Sequence, residues 1–190
     1  TFHRMKETRP RKIIEQIANM IVVSKGEYPL RVGIDGVDAA GKTFLANEIA
    51  DCLVEKGYPV LRTSLDGFHN PRHIRYQRGS LSPEGYYYDS FNMDLVIHCL
   101  LQPLSPSGNR FCHLTGFDFI ADRENLSKEL TATNDHFLIF EGVFLFRPEL
   151  LPYWDFKIFV DIDFQTCLNR ALKRDRYLFG EEEEILRKYQ

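Results

Sequence analysis

The sequence has no C-x-x-C pair: its four cysteines stand at 52, 99, 112 and 167, and Cys112 beside His113 is the only fragment with metal-ligand chemistry. That spacing excludes a disulfide-stapled scaffold and the common zinc sites, and fits reduced, buried thiols in an intracellular protein. No apolar run approaches the ~20 residues needed to cross a bilayer, and no signal-peptide pattern precedes the first helix. The expectation is a cytoplasmic chain without a membrane partner. An excess of base is also missing: 24 Lys and Arg stand against 27 Asp and Glu, a net charge of -3. This argues against nucleic acid as a partner and in favour of small ligands. Repeats and low-complexity tracts are absent, and Glu181 to Glu184 reads as the solvated start of a helix. What is present is 190 residues with 44% hydrophobic content, enough for one core without staples, so a single domain over 1–190 is expected. Because the chain opens at Thr1 without a Met, a true N-terminus before it is expected.

Residues Gly36 to Thr43 read Gly-Val-Asp-Ala-Ala-Gly-Lys-Thr, the pattern G-x-x-x-x-G-K-[ST], directly after the apolar run from Leu30. The pattern needs a strand to deliver it and a helix to leave it. Phe44 to Lys56 supplies the helix, with Leu45, Ile49, Cys52 and Leu53 on one face and Gly57 as a stop. Successive backbone N–H groups of Val37 to Thr43, reinforced by the helix N-terminus, can surround a phosphate. The expected nucleotide-binding segment is therefore Gly36, Val37, Asp38, Ala39, Ala40, Gly41, Lys42, Thr43 and Phe44, with Lys42 on the terminal phosphates and Thr43 on magnesium.

A helix from Pro10 to Gly26, with Ile13, Ile14, Ile17, Ala18 and Ile21 on its packing face, precedes four short apolar runs: Leu30 to Asp35, Pro59 to Leu65, His136 to Glu141 and Phe156 to Asp161. Nearly continuous apolar runs of this length suit parallel strands covered on both faces, hence an α/β sandwich. The segment 67–135 is too long for a simple crossover and reads as an insertion that carries specificity. Within it, Ser90 to Leu101 is expected to be helical, and Ser105 to Gly116 to form turns around a short extended piece.

Ligands of open parallel sheets bind at the carboxyl ends of the strands. The second run ends in Leu65-Asp66-Gly67-Phe68-His69 and the third in Phe140-Glu141-Gly142. Glu141 fits an acid holding magnesium beside a phosphate loop; a plain capping acid is the other reading. Asp66 fits the carboxylate that accepts a hydroxyl proton during phosphoryl transfer; a plain Asp-Gly turn is the other reading. Arg170 and Arg174 share a helix face and suit a lid over a triphosphate, or else belong to a solvated basic helix with Lys173 and Arg176. Tyr86, Tyr87 and Tyr88 either stack on a base or fill a loop core. Arg72, Arg75 and Arg78 read as a solvated loop or as contacts to a small substrate.

Together, Gly33 to Thr43, Leu65 to Arg72, Phe140 to Val143 and Arg170 to Asp175 resemble the uridine kinase-like branch of the P-loop kinases, over most of the chain. The resemblance implies a P-loop NTPase three-layer sandwich with a parallel sheet, an acceptor-binding insertion at 67–135 and a lid at 167–180. It implies an ATP- and Mg2+-dependent transfer to the 5'-hydroxyl of a nucleoside such as uridine or cytidine. Asp66 is then the base, Glu141 and Thr43 hold the metal, and Lys42, Arg170 and Arg174 act on the phosphates. Contacts to the acceptor fall to Asp66, Phe68, His69, Tyr88 and Arg170, with His113, Phe117 and Asp118 in the region that comparable kinases use for the base. Two departures keep the acceptor open. Leu114-Thr-Gly-Phe-Asp118 replaces the family's Tyr-Asp and His-Thr-Arg elements, and where the resemblance implies a sugar-binding acid near Tyr86 the nearest acids are Glu84 and Asp89. Pantothenate and sugar phosphates remain alternative acceptors, and a regulatory ATPase switch is the alternative from another class, although a guanine-reading Asn-Lys-x-Asp segment is missing. Such folds add a strand after the lid, so the sequence is expected to stop short of it; self-association stays open.

Overall fold

The computed structural model describes residues 9–163, 165–170 and 172. In chain order the strands are β1 Leu30–Gly36, β2 Val60–Ser64, β3 Phe111–Cys112, β4 Phe117–Asp118, β5 Arg123–Glu124, β6 Leu130–Thr131, β7 Phe137–Glu141 and β8 Phe156–Val160. The helices are α1 Arg9–Val23, α2 Lys42–Glu55, α3 Arg72–Arg75, α4 Pro83–Asp89 and α5 Met93–Val96. Four of the strands form one parallel sheet in the order β2-β7-β1-β8.

Alternation along the central strands creates the layers. In β7, Phe137 and Ile139 face a cluster that contains Ala18 and Ile21 of α1 and Ile49 and Leu53 of α2. Leu138 and Phe140 face the opposite cluster, with Phe68, Leu100, Leu101 and Trp154. The central strand β7 is thus covered on both faces, which is why it lacks a polar alternation.

The second face of β1 is unusual in being polar. Arg31 reaches Asp155, at the start of β8, through Nε to Oδ2 and Nη2 to Oδ1, both at 2.9 Å. The Arg31 backbone N–H and Tyr28 Oη also donate to that carboxylate, at 2.9 and 3.2 Å. Next on this face is Gly33, which has no side chain because the Trp154 ring lies on it: a Cβ would sit 2.7 Å from Trp154 Cδ2. Trp154 Nε1 donates to Leu145 O at 2.8 Å, so the ring keeps its polar atom satisfied while filling the core.

Local structure departs from expectation at three places, and bears it out at a fourth. Ile13 faces solvent, 54% exposed, because α1 packs through Ala18 and Ile21. The second strand closes at Ser64 and Leu65–Phe68 turns into a 3-10 helix, where Ser64 Oγ accepts from Asp66 N at 3.3 Å. The helix expected over Ser90 to Leu101 starts only at Met93, capped by Asn92 Oδ1 on Leu95 N, and continues as a π-turn over Ile97–Leu101. The extended piece between Ser105 and Gly116 is β3, which pairs with β6, while β4 pairs with β5; both pairs are antiparallel.

Candidate active site

Parallel pairing brings the phosphate loop, Asp66 and Glu141 to one edge: Ile34 and Ser64 both stand in register with Glu141. The loop's conformation follows from its residues. Ala39 has φ 59 and Gly41 φ 99, both on the left-handed side of the map. For Gly41, at the N-cap of α2, this conformation strains any L side chain. No side chain caps α2, so its first N–H groups remain for a ligand anion.

A cleft of about 350 Å³ opens here, lined by Asp38, Ala39, Gly41, Lys42 and Thr43 from the loop side, Asp66, His69, Tyr86 and Phe91 from the insertion, and Glu141, Gly142, Val143 and Arg170. Lys42 Nζ donates to the carbonyls of Gly36 and Val37 at 2.9 and 2.8 Å. Burial pulls its ammonium pKa down, while Asp38, Glu141, Asp35 and Asp66 work to hold it up. Thr43 Oγ1 donates to Glu141 Oε1 at 3.3 Å, an atom that also takes Arg62 Nη2 at 3.5 Å. Arg170 Nη1 donates to Ala40 O at 3.1 Å, placing its guanidinium at the phosphate loop.

Asp66 stands on the insertion side of the cleft. Burial pushes its carboxyl above the ordinary carboxylate range; His69 opposes the shift, and Glu141 and Asp38 add to it. A carboxylate raised in this way is a better proton acceptor than an ordinary Asp. His69 Nδ1 donates to the Asp66 carbonyl at 2.8 Å, which leaves Nε2 of the neutral ring as an acceptor. Burial lowers the His69 pKa and so favours that neutral form. Its ring is held between Phe91 and Phe119, at centroid distances of 4.6 and 4.5 Å.

Of the residues expected from sequence, the cleft gathers Asp38, Ala39, Gly41, Lys42, Thr43, Asp66, His69, Glu141 and Arg170. Gly36 and Val37 take part through their carbonyls, and Ala40 through its contact with Arg170. Phe44 points outward, 68% exposed. Several expected acceptor contacts lie elsewhere. Phe68 is fully buried and packs near Phe140, 6.0 Å between centroids, so it supports the Asp66 turn from beneath. Tyr88 is 58% exposed and meets the edge of Tyr87. His113 Nδ1 bonds Ser127 O at 2.7 Å, Phe117 is buried, and Asp118 Oδ1 accepts from Ile120 and Ala121 N–H groups at the tip of the β4–β5 hairpin. Arg174 and most of the expected lid lie outside the described residues.

Sequence reasoning missed Phe91 and left Tyr86 undecided. Tyr86 was marked only by its place in a tyrosine run. Phe91 reaches the cleft through a single antiparallel bridge to His69, for which the sequence carries no signal.

A parallel sheet in this order, with a G-x-x-x-x-G-K-T loop leaving β1, Glu141 ending the adjacent β7 and Asp66 in the turn after β2, defines a P-loop kinase fold. The model of the phosphoribulokinase / uridine kinase family matches residues 32–189, and the chain belongs to that family. It is 30% identical over 151 residues to a uridine kinase of Saccharomyces cerevisiae, covering 77% of this chain and 29% of that protein. It is 25% identical over 172 residues to uridine-cytidine kinase 2-B of Danio rerio, covering 85% of this chain and 64% of that protein. The chain thus spans less than two thirds of the length of these relatives. Among solved structures, one described as a possible uridine kinase from Bacillus stearothermophilus superimposes with a TM-score of 0.71 at 30% identity, covering 95% of this chain and 97% of the other. Among the described residues no helix is long and apolar enough to cross a membrane.

Proposed function

We propose that the protein is an ATP-dependent kinase that transfers the γ-phosphate to a hydroxyl of a small molecule, with the 5'-hydroxyl of a nucleoside such as uridine or cytidine as the leading acceptor. The observation that carries this reading is the Asp66 carboxylate standing in the same cleft as Lys42, Thr43 and Glu141, with its pKa raised above the ordinary carboxylate range. The nucleoside is favoured by the names of the relatives described above.

The residues divide the work. Backbone N–H groups of the loop and Lys42 hold the β- and γ-phosphates, and Arg170 adds a guanidinium against the charge that spreads over the transferring group. Thr43 and Glu141 offer adjacent hard oxygens that fit magnesium, which takes few protein ligands beside phosphates and water. When bound, magnesium neutralises charge on the phosphate oxygens. Asp66 accepts the proton of the attacking hydroxyl. The new bond joins that oxygen to the γ-phosphorus, the bond to the β–γ bridging oxygen breaks, and ADP leaves.

The test is ADP release across a panel of nucleosides, pantothenate and sugar phosphates. Acceptor-dependent release is expected with at least one member. Asp66→Asn is expected to lower that turnover by roughly 10² to 10⁴ while leaving ATP affinity unchanged. ATP turnover that ignores every alcohol yet rises with a protein partner would refute the reading in favour of a regulatory switch.

A further inference from the structure

A single charged residue stands in β2. In Val60-Leu-Arg-Thr-Ser64 it is Arg62, two positions before Ser64, the residue in register with Glu141. Its side chain is tied at all three nitrogens. Nε donates to Asn47 Oδ1 of α2 at 3.0 Å, Nη1 to Thr63 O, and Nη2 to Glu141 Oε1 at 3.5 Å. That carboxylate oxygen is the one Thr43 Oγ1 also meets, at 3.3 Å. Thr43 and Glu141 line the cleft and Arg62 does not, so its effect on a ligand there is carried by Glu141 and by its charge. Lys42 also lies near Glu141, but it lines the cleft and its ammonium serves the phosphates in the reading above.

These side chains form a small electrostatic unit. A carboxylate that is 6% exposed is costly to keep charged without a partner, and Thr43 brings only a neutral hydrogen bond. Arg62 brings the opposite charge. The same charge acts on whatever approaches Glu141 from the cleft: it repels a cation and attracts a polyanion. A lone divalent ion at Thr43 and Glu141 thus meets a carboxylate already offset by a guanidinium. With a triphosphate beside it, the phosphate oxygens supply the negative charge that Arg62 cancels. We infer that Arg62 is a positioning residue of the metal site: it holds the Glu141 carboxylate beside Thr43 and offsets its charge, so that a divalent cation is retained together with a nucleoside triphosphate and not by the protein alone. This inference rests on the assignment of Thr43 and Glu141 to magnesium above, and its readouts need no acceptor.

The probe is Mn2+, which takes the same oxygen ligands as magnesium, titrated by electron paramagnetic resonance into protein freed of nucleotide and into protein with the non-hydrolysable analogue AMP-PNP. The wild type is expected to hold Mn2+ weakly alone and tightly with AMP-PNP. Arg62→Met removes the charge and keeps an unbranched side chain; it is expected to tighten Mn2+ binding to the nucleotide-free protein roughly 3- to 30-fold. Metal-free AMP-PNP is expected to bind that variant more weakly, by a similar factor. Opposite signs are what a charge produces, whereas a site merely disordered by the substitution would lose both. Arg62→Gln, which keeps a donor for Asn47, is the second neutral variant and is expected to follow Arg62→Met. Arg62→Lys keeps the charge and should stay within about 3-fold of the wild type for both ligands. Adding Glu141→Gln to Arg62→Met should abolish the gain in Mn2+ affinity. A wild type that holds Mn2+ equally with and without AMP-PNP, unchanged or weaker Mn2+ binding in the neutral variants, a gain that survives Glu141→Gln, or an Arg62→Lys protein that behaves as Arg62→Met would each overturn the inference. Absence of ADP release with every alcohol would overturn the kinase reading and leave these binding results standing.

Discussion

Asp155→Ala tests how the sheet edge is held. The carboxylate accepts from Arg31 Nε, Nη2 and backbone N–H and from Tyr28 Oη, between 2.9 and 3.2 Å. Removing it leaves a guanidinium that is 6% exposed with one remaining bond, Nη1 to Leu101 O at 3.3 Å. Most of the effect is the stranded charge: breaking a buried pair from one side costs about 3–5 kcal/mol. Total stabilities are about 5–15 kcal/mol, so this is a large share. At roughly 2–4 °C per kcal/mol for a chain of this size, Tm falls by roughly 6–20 °C. Urea unfolding should show a lower midpoint with an unchanged slope. The double variant Arg31→Met/Asp155→Leu removes both charges and should recover most of the loss, because well-packed apolar replacements of buried pairs are often neutral or better. A loss below about 1 kcal/mol in Asp155→Ala, or a double variant no better than the single, would refute the stranded-charge argument.

Other expectations concern the cleft. Asp66 has a raised folded-state pKa, so its contribution to stability is fully present below the ordinary carboxylate value and is lost as pH rises through the folded value. Asp66→Asn should therefore gain stability over the wild type as pH rises through that window, measured by unfolding from pH 4 to 8, while the acid limb of kcat/KM that lies above the ordinary Asp range disappears. Gly41→Ala forces a side chain onto φ 99 and should cost about 1–2 kcal/mol in unfolding experiments, together with weaker ATP binding. His69→Ala should raise acceptor KM roughly 10-fold with ATP affinity intact, whereas Tyr88→Ala, exposed and outside the cleft, should change neither. Equal effects of the two on acceptor KM would show that the described cleft is not where the acceptor sits.

The phosphate-loop side of this site was legible before any coordinates, since eight consecutive residues with glycines at the first and sixth positions dictate a local backbone path and its N–H groups. Glu141 and Asp66 were legible for a related reason: an apolar run of strand length marks its own carboxyl end, and parallel pairing brings such ends together. The acceptor side was legible only in outline. Phe68 and Phe117 sit in short irregular elements, where no period distinguishes a side chain facing the cleft from one facing the core. His113 and Asp118 had suitable chemistry but are consumed by local bonds to Ser127 and to the hairpin tip.

By itself, then, the sequence determined the layered parallel fold, the phosphate loop and the two acids beside it, because each follows from residues within one strand and the turn that leaves it. Tertiary structure decided which aromatic rings and which further carboxylate line the cleft. The Asp38–Tyr86 bond, the His69–Phe91 contact and the Arg78–Asp89 pair join separate elements. Which of several tyrosines or acids meets a partner on another element depends on how the insertion packs against the sheet, and no local pattern encodes that.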